Sequence, residues 1–317
     1  MNWLRWRHRV EYLAFRIIVC LIDALPTRTI VRLSTILAFV FCQILPRKLT
    51  RYEIAKQHIR QAFGENTTDA EIDRIIFGMW THLFRMVTEI VQLPRKLRLY
   101  NCADVIEYRN CDRLVQALCS GRPVMVLSGH FGNWEMATAV QGLFGFPAGI
   151  VARDLDNPYL HEWFRRWREA TGHRLISKKG GAGDMVKFMD HRGCLGMLGD
   201  QDAGSRGLFV PFFGKQASTF KSIALLAAQY RALICVCYAR RLDDDFQHNR
   251  WVKYEVGCEE VIDPDDYDDA DAIRLITQRY TSALERAVRR APEQYFWVHR
   301  RWKSIPGQRR KRRKAAA

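Results

Sequence analysis

Apolar residues recur at helical spacing through the first 93 positions of the chain. One face of the segment 3–24 consists of Trp3, Trp6, Val10, Leu13, Ile17, Leu21 and Ala24. A second apolar run covers residues 30–45, between Pro26 and Pro46. Residues 51–93 predict two further helices separated by a polar turn, where Thr68 precedes Glu71 by three positions as in a capping box. The first third of the chain is therefore predicted to be helical.

After residue 100 the pattern changes to short β-rich runs that alternate with helical segments. The runs 123–128, 149–152, 194–198 and 233–239 predict buried strands, and the run 251–256 predicts an edge strand. Helices are predicted from Trp134 to Val140 and over 158–170, 221–230 and 270–290. This alternation predicts an α/β fold, with a mostly parallel central sheet flanked by helices on both faces. An N-terminal membrane-associated helical segment is predicted to precede it.

Charge is distributed unevenly along the 317 residues. Lys and Arg number 50 against 34 Asp and Glu, which gives a formal net charge of +16. Residues 1–60 carry a net charge of +8, and residues 301–317 carry eight basic residues and no acidic one, with a basic run at 309–314. The hydrophobic content of 48% excludes a disordered chain. Basic ends favour a polyanionic partner, either a membrane surface or a nucleic acid.

The N-terminal segment favours the membrane. Two tryptophans beside several arginines are typical of a helix that lies in a lipid interface. The second apolar run is interrupted by Arg32 and is shorter than the roughly 20 residues that span a bilayer. The alternative is that both segments are amphipathic helices packed on the domain. We expect membrane-anchoring helices at 1–48, the α/β domain at 49–303 and a basic, disordered tail at 304–317.

Nine cysteines lie scattered along the chain, without a C-x-x-C pair or zinc-like spacing. Reduced thiols in a cytosolic environment fit this pattern better than a disulfide framework. No metal site and no cofactor are predicted.

The strongest chemical signal is the segment 128–135, Ser-Gly-His-Phe-Gly-Asn-Trp-Glu, at the end of the first predicted strand. A hydrogen bond from His130 to Glu135 would fix the imidazole tautomer and make His130 a general base for a hydroxyl. The backbone amides near Gly132 and Asn133 are candidate donors to an oxyanion. The alternative is that His130 is a polar strand end and Glu135 a surface charge.

Further candidates follow later strands. Arg153 would bind an anionic head group or pair on the surface with Asp154 or Asp156, and Asp200 with Asp202 would orient His130, bind sugar hydroxyls or form a solvated turn. The basic, glycine-rich segment 178–183, with Lys179 and Gly180, precedes a helix and would meet an anion or form a plain loop. The apolar segment 209–214 would line an acyl channel or pack in the core. His130, Arg153 and Asp200 are expected at the same sheet edge, because each follows a predicted strand.

Taken in order, these motifs resemble the lipid A biosynthesis acyltransferases, the lauroyl- and myristoyl-type branch of the lysophospholipid acyltransferase superfamily. The resemblance covers most of the chain. It rests on the basic N-terminus, GHFGNWE at 129–135, Arg153, the KKGG segment, GDQDAG at 199–204, VPFFG at 210–214 and PEQYFWVHRRWK at 292–303.

The resemblance implies transfer of a fatty acyl group from an acyl-carrier-protein or coenzyme A thioester to a hydroxyl of a lipid A-type glycolipid. It places the enzyme at the cytoplasmic face of the inner membrane, with His130 as base, Glu135 as its partner, and Arg153 and Asp200 in the acceptor pocket. Two alternatives remain open. One is the same chemistry on another acceptor, such as a phosphatidylinositol mannoside, another glycolipid or a lysophospholipid. The other is a nucleic-acid-binding protein that uses the basic tail, although nucleic-acid-binding motifs are missing.

Overall fold

The computed structural model describes residues 3–268 and 270–307, and its centre is a seven-stranded β-sheet. The strands are β1 (Ile106–Arg109), β2 (Val124–Ser128), β3 (Gly149–Ala152), β4 (Arg174–Ser177), β5 (Cys194–Leu198), β6 (Leu208–Phe212), β7 (Lys215–Thr219), β8 (Leu233–Arg241) and β9 (Tyr254–Ile262). Seven of them form one sheet in the order β1-β9-β8-β2-β5-β3-β4, and β6 and β7 form a separate hairpin. Within the seven-stranded sheet every pairing is parallel except the antiparallel pairing of β8 with β9.

Helices cover both faces of this sheet. They are α1 (Trp3–Ala24), α2 (Thr27–Phe39), α3 (Tyr52–Phe63), α4 (Asp69–Lys96), α5 (Cys102–Val105), α6 (Cys111–Cys119), α7 (Trp134–Leu143), α8 (Pro158–Glu169), α9 (Ala182–Asp190), α10 (Lys221–Tyr230) and α11 (Ala272–Arg290). Along β2, Met125 and Leu127 pack with α10 and α11, whereas Val124 packs toward Ala117 of α6 on the other face. Successive residues of a strand point to opposite faces, so burial on both sides produces the continuous apolar runs seen in the sequence. The predicted α/β class is confirmed.

Two details of the predicted sheet are wrong. The run predicted as an edge strand is the start of β9, which lies between β8 and β1 rather than at an edge. The strands β1 and β4 were not predicted, because they are four residues long and carry charged residues such as Glu107 and Arg174. Short strands of this kind lack a clear apolar period and gain their stability from neighbours that are distant in sequence.

The apolar segment 209–214 packs in the core instead of lining a channel. Phe212 and Phe213 are almost fully buried, in a cluster with Tyr295 and Trp297 from the C-terminal segment. Of the two alternatives predicted for this segment, packing in the core is therefore the one that the structure shows. The hairpin of β6 and β7 holds it against α11.

The N-terminal helices pack on α4 and α8. α1 docks through its less apolar side, where Phe15 contacts Trp163 and the carbonyl of His8 accepts a hydrogen bond from Asn157. Its predicted apolar face points outward, with Trp3 79% and Leu13 62% exposed. In the described part of the chain, one helical stretch, Thr27–Ile44, has the length and composition of a membrane span. The domain boundaries remain predictions, and residues 308–317, with the basic run 309–314, lie outside the described residues.

Candidate active site

His130 and Asp200 meet at the carboxyl ends of two adjacent strands. β2 and β5 pair in parallel with Ser128 opposite Leu198, so each chain leaves the sheet at the same level and delivers its polar residue two positions later. The imidazole Nδ1 lies 2.8 Å from Asp200 Oδ1, and the backbone amide of His130 donates to Asp200 Oδ2 at 2.7 Å. A side chain at position 129 would crowd this carboxylate, since a Cβ there would lie 3.2 Å from Asp200 Cγ.

The two bonds determine the protonation of the ring. A carboxylate only accepts, so Nδ1 carries the proton and the lone pair of the neutral ring lies on Nε2. Burial lowers the pKa of His130, but the charge and hydrogen bond of Asp200 outweigh it, and the net pKa is raised. Burial raises the pKa of Asp200, but the charge of His130 and its hydrogen bonds outweigh this effect, so that the net pKa is lowered. The pair therefore consists of an ionised carboxylate and an imidazole made more basic by it.

The C-terminal segment closes over the His130 ring. The amide of Phe296 donates to the carbonyl of His130 at 3.0 Å, and the ring of His299 stacks on the imidazole at a centroid distance of 5.9 Å. Trp134 packs on its edge at 5.0 Å. On the Nε2 side, the side-chain amide nitrogen of Gln201 lies 3.4 Å away. The His130 ring therefore contacts the aromatic rings of Trp134 and His299, and its Nε2 faces the Gln201 side-chain amide.

Glu135 does not take the place predicted for it. Both of its oxygens pair with Arg168 of α8, at 2.6 Å for the closest contact, and its side chain is 8% exposed. Among the described residues, the carboxylate on the His130 ring is that of Asp200. Glu135 lies in the first turn of α7, on the side that faces α8. The prediction that Glu135 fixes the His130 tautomer is corrected accordingly.

The amides of Gly132 and Asn133 are not free to bind an oxyanion. The amide of Gly132 donates to the carbonyl of Gln294 at 3.0 Å, and the amide of Asn133 donates to the carbonyl of Ala239 at 2.8 Å. Gly132 has a φ of 59°, and a Cβ there would lie 1.8 Å from the oxygen of Ala239. The Asn133 side chain caps α7 through Met136. Both residues shape the turn that carries His130, which corrects the prediction that their amides stabilise the reaction.

The remaining predicted residues lie farther from the ring. Arg153 is 81% exposed and faces Asp156 at 3.6 Å, which is the surface pairing held as the alternative. Lys179 and Gly180 form an exposed turn, in which the amide of Lys179 donates to the Ser177 hydroxyl oxygen at 3.2 Å. Asp202 accepts hydrogen bonds from the amide and hydroxyl of Ser304 at 3.2 and 3.0 Å. Asp202 thus anchors the C-terminal segment.

A cavity of about 480 Å³ opens beside the His130 turn, between the sheet and helices α6 and α7. Most of its wall is apolar. The lining includes Leu114, Leu118, Val126, Ala137, Val140, Phe144, Ile150 and Met197. Ser128 and Trp134, which flank His130 in sequence, also line it, as do Glu135 and Arg168. A mostly apolar cavity of this volume, beside the turn that carries His130, has the size and polarity to accept an alkyl chain.

The sequence matches the family model for the bacterial lipid A biosynthesis acyltransferases over residues 4–304. The chain belongs to this family. It is 29% identical over 207 residues to the lipid A biosynthesis palmitoleoyltransferase of Escherichia coli K12, which covers 62% of the chain and 60% of that relative. It is 25% identical to the lauroyltransferase of the same organism, over 58% of each chain. An acyltransferase of Haemophilus influenzae is 26% identical over 58% of this chain and 56% of its own length. The chain thus spans about 60% of the length of the relatives it matches.

In this member of the lipid A acyltransferase family, the structure adds three residues that sequence reasoning missed. Arg168 pairs with Glu135, Gln201 faces Nε2 of His130, and His299 stacks on the His130 ring. Arg168 has no local signal, since it is one of several arginines on α8. Gln201 does have a local signal, because it lies between the two aspartates of the GDQDAG motif at the end of a predicted strand, where site residues are expected.

Proposed function

We propose that this protein transfers a fatty acyl group from a thioester to a hydroxyl of a lipid A-type glycolipid, with His130 as the general base. The observation that carries the proposal is the His130–Asp200 pair beside the apolar cavity of about 480 Å³. Membership of the acyltransferase family supplies the reaction class. The match to enzymes whose names specify palmitoleoyl and lauroyl transfer favours a long acyl chain.

The chemistry follows from the state of the ring. Nε2 of neutral His130 takes the proton of the acceptor hydroxyl while its oxygen forms a bond to the thioester carbon. The tetrahedral intermediate then breaks its C–S bond, and the imidazolium returns the proton to the departing sulfur. Asp200 holds the tautomer and stabilises the imidazolium through its charge. A thioester is already activated, so no step of this sequence needs a further cofactor.

The oxyanion needs a donor, and the geometry favours Gln201. The amides of Gly132 and Asn133 are bonded to carbonyls, whereas the Gln201 side-chain nitrogen lies on the Nε2 side of His130. Hydrogen bonds aimed at a developing negative charge contribute much of the rate acceleration in acyl transfer. We assign Gln201 to this role.

The cavity supports a location for the acyl donor. An acyl chain lying between α6, α7 and the sheet would place its thioester end near Ser128 and Trp134, beside His130. The head of the donor, acyl-carrier protein or coenzyme A, would remain outside. The described cysteines are all free thiols, which agrees with a cytosolic location of the catalytic domain, where such thioesters are found.

The outward face of α1 supports attachment to a membrane surface, which we propose is the cytoplasmic side of the inner membrane. Its exposed residues include Trp3, Trp6, Val10, Leu13, Ile17 and Leu21. α2 packs on α4 through Ile30, Ser34 and Ala38, and it exposes Leu33, Ile36 and Phe39. Since α2 is docked along the catalytic domain, we propose that both helices lie in the lipid interface rather than cross it. The acceptor is itself a membrane lipid, so this placement brings it to the site.

The test is to incubate detergent-solubilised protein with acyl-carrier-protein thioesters of several chain lengths and a lipid A precursor, and then to measure product mass. We expect a product heavier by one acyl group, which is lost in His130→Ala and retained in His191→Ala, an exposed histidine that contacts its own helix. Transfer by His130→Ala at the normal rate would contradict the mechanism. A folded wild-type protein that gives no product with this acceptor, but acylates another lipid in total membrane extract, would favour the alternative acceptors.

A further inference from the structure

A stripe of polar residues is buried along α4. His82, Arg85, Glu89 and Gln92 follow one another at spacings of three, four and three, which places them on a single helix face. Each of the four is at least nine-tenths buried. Polar and charged groups are costly in a protein interior unless their hydrogen bonds are satisfied. The hydrogen-bond partners of these side chains therefore show which parts of the fold this face of α4 fixes in place.

Near the C-terminus of α4 the stripe bonds to the end of α1, and in the middle it bonds to Arg241 of the sheet. Gln92 donates to the carbonyls of Ile22 and Leu25 at the end of α1, both at 3.0 Å. Glu89 accepts from Arg241 at 2.7 Å, and the same guanidinium donates to the hydroxyl of Tyr254 at 2.8 Å. Arg241 is the last residue of β8, and its charge is neutralised by Glu89 in the interior.

At the other end the stripe reaches the turn that carries His130. His82 Nδ1 lies 2.7 Å from Arg241 Nη1, and its Nε2 lies 3.0 Å from the carbonyl oxygen of Gly132. A guanidinium only donates and a carbonyl only accepts, so His82 accepts at Nδ1 and donates from Nε2. These two partners fix one neutral tautomer. Burial, and next the charge of Arg241, lower the pKa of His82 well below its ordinary value, which agrees with this assignment.

Gly132 is thereby held at both of its polar atoms. Its carbonyl accepts from His82, and its amide donates to the carbonyl of Gln294. The Gln294 side chain in turn bonds the amide and the carbonyl of Arg241, at 2.8 and 2.9 Å. Gly132 lies two residues after His130 and has a φ in the left-handed region. The position of the imidazole therefore depends on a turn fixed from α4, β8 and the C-terminal segment.

We propose that His82 is a positioning residue for acyl transfer, which orients the catalytic turn by donating its Nε2–H to the carbonyl of Gly132. The inference rests on the proposed role of His130 as base. His82 does not touch the reacting atoms. It acts by keeping Nε2 of His130 at the distance and angle from which the hydroxyl proton is taken, and displacements of about 1 Å in such groups can cost about 100-fold in rate.

Two substitutions separate the two bonds of His82. In His82→Gln the amide nitrogen takes the place of Nε2, which keeps the donor to Gly132 and removes the acceptor of Arg241. In His82→Asn the amide oxygen takes the place of Nδ1, which keeps the acceptor and removes the donor. A third variant, Tyr254→Phe, removes the hydroxyl that accepts from Arg241, donates to Glu89 and lies 3.5 Å from the side-chain nitrogen of Asn133, and it leaves both hydrogen bonds of Gly132 in place.

We expect His82→Gln to retain most of the wild-type kcat, and His82→Asn to lose about 10- to 100-fold in kcat with a nearly unchanged KM for the acyl thioester. Of these two variants, His82→Gln should have the lower melting temperature, because it leaves a buried guanidinium donor of Arg241 unpaired. Tyr254→Phe should lower the melting temperature and keep kcat. If His82→Gln does not fold, the comparison of His82→Asn with Tyr254→Phe decides the question.

Two results would overturn the proposal. One is an equal kcat in folded His82→Asn and wild-type protein, and the other is a kcat that falls with melting temperature across all three variants. Either result would make the stripe a structural network alone. The failure of the proposed function is distinguishable, because it appears as activity in His130→Ala, whatever the behaviour of the His82 variants.

Discussion

A single carboxylate, that of Asp200, holds His130 at two points: Oδ1 accepts from the imidazole Nδ1–H and Oδ2 accepts from the backbone amide of the same residue. The ring is therefore fixed in orientation and in tautomer by one side chain. The pairing arises because β2 and β5 are neighbours in the sheet, although the two residues are 70 positions apart in sequence.

Replacement of Asp200 by Asn should lower the rate and shift its pH dependence. In the wild-type protein the pKa of His130 is raised above its ordinary value near 6.5. Since the neutral ring is the base, kcat/KM should increase with pH as the ring loses its proton, and the midpoint of this rising limb should lie above about pH 6.5. Asp200→Asn removes the charge that stabilises the imidazolium, so the limb should move to lower pH. The rate on the plateau should fall about 100-fold or more, because the tautomer is no longer fixed. Asp202→Asn is the matched control, and an unmoved limb in Asp200→Asn would contradict the assignment.

Replacement of Glu135 by Gln should reduce stability and leave that limb in place. Glu135 and Arg168 form a largely buried ion pair, and removal of one partner of such a pair costs about 3–5 kcal/mol. Urea unfolding of Glu135→Gln should show this loss, and the double variant Glu135→Leu/Arg168→Met should recover part of it. If the pH limb of Glu135→Gln moved as far as that of Asp200→Asn, Glu135 would act on His130 directly.

A larger side chain in the cavity should change the acyl length. Ala137 lies on α7 and lines the cavity, so Ala137→Phe should fill part of the volume and favour shorter acyl donors. Competition between thioesters of different chain lengths, read by product mass, measures the change. Ala103→Phe is the control, since Ala103 is exposed on α5 and lies outside the cavity lining. An unchanged length profile in Ala137→Phe would place the acyl chain elsewhere.

Charges on the outward face of α1 should weaken membrane binding. Trp6 and Leu13 are 52% and 62% exposed, so their replacement by Glu should leave the fold intact. Each lost apolar contact with lipid is worth about 1.5–3 kcal/mol when complete, so the double variant should bind vesicles at least about tenfold more weakly in flotation assays. The pair Leu225→Glu and Leu275→Glu adds the same charges on α10 and α11. Equal binding by both double variants would exclude α1 as the lipid contact.

The α/β fold class and the candidate base His130 could both be predicted from the amino-acid sequence. The apolar runs of β2, β5 and β8 predict a doubly covered sheet, because strands buried on both faces must be apolar at every position. The segment 128–135 identified His130, since its strand exit and glycines are local features. The charge and spacing of α1 predicted an apolar face, which the structure leaves exposed.

The groups that bond and orient His130 depend on long-range contacts of the fold. Local spacing favoured Glu135, but the strand order brings Asp200 to the ring and α8 brings Arg168 to Glu135. The amides of Gly132 and Asn133 looked available in sequence, and they are bonded to carbonyls of β8 and the C-terminal segment. His82 gave no signal, because its role depends on Arg241 and Gly132, which are 159 and 50 positions away. Hydrogen bonds are formed between groups that the fold brings within about 3 Å, and sequence patterns report only periodicity and neighbours along the chain.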